Sequence, residues 1–413
     1  MRKVCNKNVI IYNGVFLCVI AAVWILLEIG GGFHVVVSVF HSVGSEESRG
    51  SFTSTKYRYE KEFQNTLNHY RTFSSYYNHK LSTAVPGLEN TNVLGNLCDQ
   101  MVPQGICVAD DYMLVTAYDN GKNKARTDRK KETKVNNSVM YVLSNQNPKK
   151  RELLTTIVLP DVNHVGGIAF DGENIWIAKS TARQCSMISY DVIKKAAACG
   201  LSSYELPAYD QNVSCGAVAS FLAFYNGKLW VGTYTNRISK KGTLRSYDIL
   251  KKHTEQGREY ELKQREELVI PGYANGAEFV EMQGKTYMAI VSSQGRYFDS
   301  KIYFYEIQQD PITGANLYYP YYFCKFPPMA EELTCEGDNM YFLFESSATC
   351  YSTPTYLKCM YPVDRICALS ARELFAQNQN GAYQNSMADL LRQQFLPVFD
   401  EMYQERKYWQ QYV

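Results

Sequence analysis

The feature that most constrains this chain is a repeat. A short apolar strand, a turn and a strand of aromatic and β-branched residues recur at 104–119, 166–180, 220–235, 278–293 and 331–346. Four of the turns carry Asp171-Gly172, Asn226-Gly227, Gln283-Gly284 and Gly337-Asp338, residues that tolerate the positive φ of tight hairpins. The units start about every 53 to 62 residues, a spacing expected for stacked supersecondary units. A third strand follows each unit, at 138–144, 186–192, 242–249, 300–307 and 365–370. A fourth strand then ends at Pro160, Pro207, Pro271 and Pro327 in four of the units. Four antiparallel strands per repeat make a propeller blade, so the chain is expected to be an all-β, five-bladed β-propeller. The fifth unit lacks its fourth strand, and 81–87, which also ends near a proline (Pro86), is placed to supply it and close the ring. Six blades, with a degenerate one among the flanks, is the alternative.

The start of the chain bears on compartment. Arg2, Lys3 and Lys7 precede an apolar stretch over 9–27, and positive charge before such a stretch stays on the cytoplasmic side. No small-x-small cleavage site follows, so an uncleaved signal anchor is expected, with the propeller outside the cytoplasm; cleavage would make the chain secreted. The division is then 1–44 cytoplasmic tip and anchor, 45–80 helical stalk, 81–370 propeller and 371–413 helical tail. Tyr59, Phe63, Leu67, Tyr70 and Tyr77 give the stalk a helical stripe; Met387, Leu390, Leu391, Phe395 and Met402 give the tail another. Ten of the 12 cysteines lie beyond the anchor, an even number compatible with disulfides in an exported region. Cys185 with Cys199 and Cys350 with Cys359 are close enough in sequence to staple loops.

Several function classes are disfavoured. With 43 Lys+Arg against 41 Asp+Glu the net charge is +2, and the basic run over 122–134 is broken by Asp128 and Glu132, so no nucleic-acid partner is expected. There is no G-x-S-x-G elbow, H-E-x-x-H helix, zinc-type cysteine spacing or nucleotide fingerprint, and no cofactor is implied.

The repeats also resemble a group of exported bacterial β-propeller proteins of unassigned function. The resemblance rests on PQG at 103–105, HVGG at 164–167, SSQGR at 292–296 and FESSA at 344–348, and it spans roughly 81–370. It implies a secreted or membrane-tethered propeller and brings no activity with it.

A propeller gathers equivalent positions of its inner strands at one mouth of a central channel. Aligning the hairpins places Gln104, Gly166, Ser220, Glu278 and Glu331 or Glu332 there with His164, and Asp119, Ser180, Thr235, Ser293, Arg296 and Glu345 in a second tier. These residues are expected to hold a ligand, a glycan or a protein segment, and binding is expected in preference to catalysis. The alternative is a carbohydrate-active hydrolase that uses two of the carboxylates as acid and base. A hard cation such as calcium, held by Glu278 and Glu332, is a further expectation for the channel.

Overall fold

The computed structural model describes residues 52–121, 135–236, 241–254, 257–352 and 359–379. The apolar stretch at 9–27, the basic run at 122–134 and the stripe at 387–402 lie outside these residues. Among the described residues, no helix is long and apolar enough to cross a membrane.

Five sheets stand around one axis. Blade 1 contains Met101–Ala109, Tyr112–Asp119, Val139–Ser144 and Leu153–Val158. Blade 2 contains Ile168–Phe170, Asn174–Lys179, Gln184–Ser189 and Gln211–Ser214; blade 3 contains Phe221–Tyr225, Lys228–Thr233, Gly242–Thr254 and Gly257–Ile270. Blade 4 contains Ala274–Met282, Lys285–Ser292, Ser300–Gln309 and Asn316–Phe326. Blade 5 contains Ala330–Glu336, Asn339–Phe344 and Arg365–Ser370, and Thr83–Ala84 completes it by pairing antiparallel with Ile366 and Arg365. The expected closing strand and the count of five are both found. Innermost strands of successive blades touch, including those of blades 5 and 1, so the ring is closed.

Period-two alternation explains how the blades adhere. Ile175 and Ile177 pack with Leu114 and Met140 of blade 1, while Trp176 and Ala178, one position out of phase, pack with Leu222 and Leu229 of blade 3. Tyr303 likewise faces blade 3, whereas Ile302 and Phe304 face blade 5. Every interface between blades has its own apolar cluster, and each buried Leu, Ile or Phe contributes about 1.5–3 kcal/mol relative to exposure.

The seam of the ring is held by charge as well. Asp364 is fully buried and accepts from the backbone N–H groups of Arg58 (2.6 Å) and Tyr59 (2.7 Å). Arg365 donates to Asp364 at 2.9 Å and to Glu60 at 2.8 Å, with its guanidinium over the rings of Tyr57 and Phe63. Helices Glu60–His69 and Arg71–Tyr76 then bury Phe63 and Phe73 in the cluster shared by blades 4 and 5. The segment expected as a stalk therefore lies on the propeller. Leu374 and Phe375 of helix Ala371–Gln379 pack into the same cluster.

Two expectations need correction. The strand ending near Pro207 does not belong to blade 2: Ser203–Glu205 pairs in parallel with Leu153–Val158 as a fifth strand of blade 1. The cause is helix Tyr190–Ala198, capped by the Ser189 hydroxyl, whose Ile193 and Ala196 bury in the cluster between blades 1 and 2 and carry the chain to its neighbour's edge. Covering that edge blunts a pairing surface. Blade 2 takes Gln211–Ser214 instead. The second concerns the staples: neither Cys185 with Cys199 nor Cys350 with Cys359 is bridged among the described residues. Cys185 meets Cys215 rather than Cys199, since the outer strand of blade 2 lies beside it and Cys199 is exposed at the helix end.

Candidate functional site

The inner strands of blades 1, 4 and 5 share an irregularity that builds the channel mouth. Strand register shifts between Pro103 and Ile106, between Ala274 and Gly276, and between Ala330 and Leu333. A bulge re-aims the side chains it carries. Gln104, Asn275 and Glu331 sit in these bulges, and all three line one cavity of about 320 Å³. Tyr118, His164, Ser180, Ser220, Tyr234, Ser293, Glu345 and Tyr351 complete its wall, so all five blades contribute.

Of the residues expected at this mouth, Gln104, His164, Gly166, Ser180, Ser220, Ser293, Glu331 and Glu345 are there, whereas Asp119 and Thr235 are not on the cavity wall. Arg296 stands beside it, 5.0 Å from the Tyr351 ring centroid, and its charge acts on Glu345. Glu332 and Glu278 are not at the mouth. Glu332 is buried on the axis, where Oε2 accepts from Ile106 N–H (2.8 Å) and Ile168 N–H (3.3 Å) and Oε1 from Leu222 N–H (3.4 Å). Glu278 opens on a second cavity of about 250 Å³, formed by the next residues along the inner strands, among them Ile106, Ile168, Leu222 and Leu333. Counted back from the hairpin turn, Glu278 matches Glu332. Blade 4, however, stays regular through Gly276 before its bulge, so Asn275 takes the mouth position. Sequence alignment missed Asn275 for that reason, and the only available signal was its place in the Asn275-Gly276 pair.

Glycine permits the approach of Glu332. A Cβ on Gly276 would lie 2.8 Å from the Glu332 Cα, and one on Gly105 would lie 3.0 Å from Glu332 Oε2. The expected calcium-type site joining Glu278 to Glu332 is not formed, because the Glu332 oxygens receive backbone N–H groups and Glu278 is bonded elsewhere. Among the described residues, no group of three or more His, Cys, Asp or Glu is arranged to hold a metal.

At the mouth, Glu331 and Glu345 hydrogen-bond to one another. Burial raises both pKa values, and the pair's mutual repulsion raises Glu331 further. Of the two, Glu331 is favoured to hold a proton and donate it to Glu345, whose own pKa burial pushes up to about 7. Gln104 Nε2 donates to Glu345 at 3.1 Å, Asn275 Nδ2 donates to Glu331 at 3.3 Å, and the Tyr351 hydroxyl also bonds Glu345. Tyr118 in turn bonds Tyr351 and lies 4.5 Å, centroid to centroid, from the ring of His164. Burial lowers the His164 pKa, so the imidazole is neutral at pH 7. Ser293 is 4% exposed, and its hydroxyl has no hydrogen-bond partner.

A hydrogen-bonded carboxyl pair is closer than the roughly 5 Å that separates acid and nucleophile in retaining glycosidases, and closer still than inverting enzymes require. This pair is suited to holding a ligand or a shared proton rather than to flanking a glycosidic bond.

Sequence comparison finds no matching family model and no matching characterised protein. Among solved structures, the chain is similar to the glutaminyl cyclase of Myxococcus xanthus, at 12% identity and TM-score 0.33 over 66% of this chain and 91% of that one. It is also similar to a glycoside hydrolase, at 11% identity and TM-score 0.35 over 65% of this chain and 58% of that one. A DUF4623 family protein from Bacteroides eggerthii shows 11% identity and TM-score 0.31 over 65% of this chain and 70% of that one. Likenesses this distant carry no argument about chemistry.

Glu278 yields a test of the second cavity. Desolvation pushes its pKa up to about 7, opposed by hydrogen bonds from Phe279 N–H, the Thr334 hydroxyl and Cys335 N–H. The folded chain holds this proton more tightly than the unfolded chain, whose carboxyl titrates near 4.5. That contribution is fully present below pH 4.5 and is lost as pH rises through about 7. Glu278→Gln should therefore melt with wild type at acidic pH and be more stable above pH 7, by about 1–2 kcal/mol after allowing for cavity water. Thermal melts across pH check this; a variant that is less stable at alkaline pH would contradict the assignment.

Proposed function

We propose that this chain is a membrane-anchored, extracytoplasmic β-propeller that binds a small polar ligand at one mouth of its channel. One observation carries the binding half: five blades converge on one cavity of about 320 Å³ whose wall includes a hydrogen-bonded pair of buried carboxyls, Glu331 and Glu345. Concave sites with a few convergent polar groups are where small ligands bind. The anchor half rests on Arg2, Lys3 and Lys7 ahead of the apolar stretch at 9–27. The hydrolase alternative has less support, because the carboxyls at the mouth touch one another.

Binding is checked by thermal-shift screening of the detergent-solubilised full chain against small polar compounds, including sugars, amino acids, amines and organic acids. A hit should raise the melting temperature of wild type and lose at least about tenfold in affinity in Glu345→Gln. A hit insensitive to Glu345→Gln and Glu331→Gln would place binding elsewhere. Location is checked separately in the cells that make the protein. The chain should remain with membranes after an alkaline carbonate wash and be digested by protease added outside the cytoplasmic membrane; a soluble cytoplasmic chain would overturn the anchored reading.

A further inference from the structure

Hydrogen-bond polarity narrows the ligand further, on the reading that the mouth cavity is a ligand site. Each polar group there is classified by what it has left once its protein bonds are made. Both N–H donors of Gln104 are committed, one to Pro103 O at 2.8 Å and one to Glu345 Oε2 at 3.1 Å. Both donors of Asn275 are committed as well, to Ala330 O at 3.4 Å and Glu331 Oε1 at 3.3 Å. Turning either amide over would set its oxygen against a carbonyl and a carboxyl, so the orientations are fixed by their partners. Each amide is left with a carbonyl oxygen to which no group among the described residues donates. The proton between Glu331 and Glu345 is used within the pair, whose other oxygens keep lone pairs; burial pushes the Glu345 pKa up to about 7, so the pair gains its negative charge as pH rises through that value.

The two amides and the carboxyl pair thus present acceptors. The remaining polar side chains adapt: hydroxyls such as those of Ser180 and Ser220 can donate or accept, and His164 can offer either ring nitrogen. Aromatic faces complete the wall through Tyr118, Tyr234 and Tyr351. Acceptors, a carboxyl pair that ionises near neutral pH and aromatic faces together suit a cation that carries hydrogen-bond donors. An anion would meet the carboxyl pair, and a neutral polyol would gain nothing from its ionisation.

We propose that the mouth cavity binds a small protonated amine, its ammonium group seated against Glu331 and Glu345 with the Gln104 and Asn275 carbonyl oxygens as further acceptors. The cavity, about 320 Å³, admits an amino sugar or a shorter amine. Arg296 stands beside Tyr351, where its charge moderates the site without filling it.

The test uses isosteric pairs that differ in charge: glucosamine against glucose, and ethanolamine against ethylene glycol, titrated by calorimetry into the detergent-solubilised full chain. The amine of at least one pair should bind at least about tenfold more tightly than its neutral partner. Glu345→Gln should bring that ratio toward one, and Ser293→Ala, which leaves the carboxyl pair in place, should weaken the amine by only a few fold. Both variants must keep the wild-type far-ultraviolet spectrum and cooperative melt. Equal binding of amine and neutral partner at a Glu345-sensitive site overturns the amine assignment while leaving the ligand site intact. Binding by none of the four compounds also overturns it, and the broader screen described above then decides separately whether the mouth binds ligands. An amine preference that survives Glu345→Gln overturns the proposed seat.

Discussion

Blades 1, 2 and 3 each point one backbone N–H, from Ile106, Ile168 and Leu222, at the carboxyl group of Glu332 in blade 5. The innermost edge of a propeller blade has no neighbouring strand, so its N–H groups need other partners. One side chain satisfies donors from three blades and ties them to a fourth strand across the axis. The backbones must approach closely for this to happen, and glycine at 105 and 276 gives the room. Burial raises the Glu332 pKa while the three N–H groups oppose that shift. The axis of the molecule is therefore a polar, hydrogen-bonded structure, with the apolar clusters lying between blades.

The candidate site follows from the same strands a residue or two earlier. Glu331 occupies the bulge that also carries Glu332, so the mouth carboxyl and the axial carboxyl are set by one irregularity in blade 5. Corresponding bulges put Gln104 and Asn275 beside them. Fixing these side chains by backbone irregularity rather than by flexible loops keeps the amide and carboxyl groups in a preorganised array, which lowers the ordering cost of binding.

Much of this was legible in the sequence because the relevant signals are local. The Gly-containing turns marked four of the five hairpins, and the recurring strand spacing set the number of blades. The closing strand at Thr83–Ala84 could be inferred because an incomplete blade leaves an open edge. Eight residues of the mouth were found by aligning hairpins. What escaped depends on where a strand bulges or which edge a segment reaches. Glu278 and Asn275 exchanged places because the bulge in blade 4 lies farther from its hairpin turn than the bulge in blade 5, and hairpin spacing does not record that. Ser203–Glu205 joined blade 1 because the intervening helix is anchored there by packing. The pairing of Cys185 with Cys215 likewise depends on that outer-strand swap.

The central chemical claim is that Glu331 and Glu345 share one proton at neutral pH. Infrared difference spectroscopy between the wild-type chain and Glu331→Gln addresses it directly, because the difference isolates this carboxyl pair from Glu278 and Glu332. The predicted result at pH 7 is a protonated-carboxyl stretch present in wild type and missing from the variant. Loss of an ionised carboxylate band instead, with no protonated band in the difference, would show two separate charges at the mouth and contradict the shared proton.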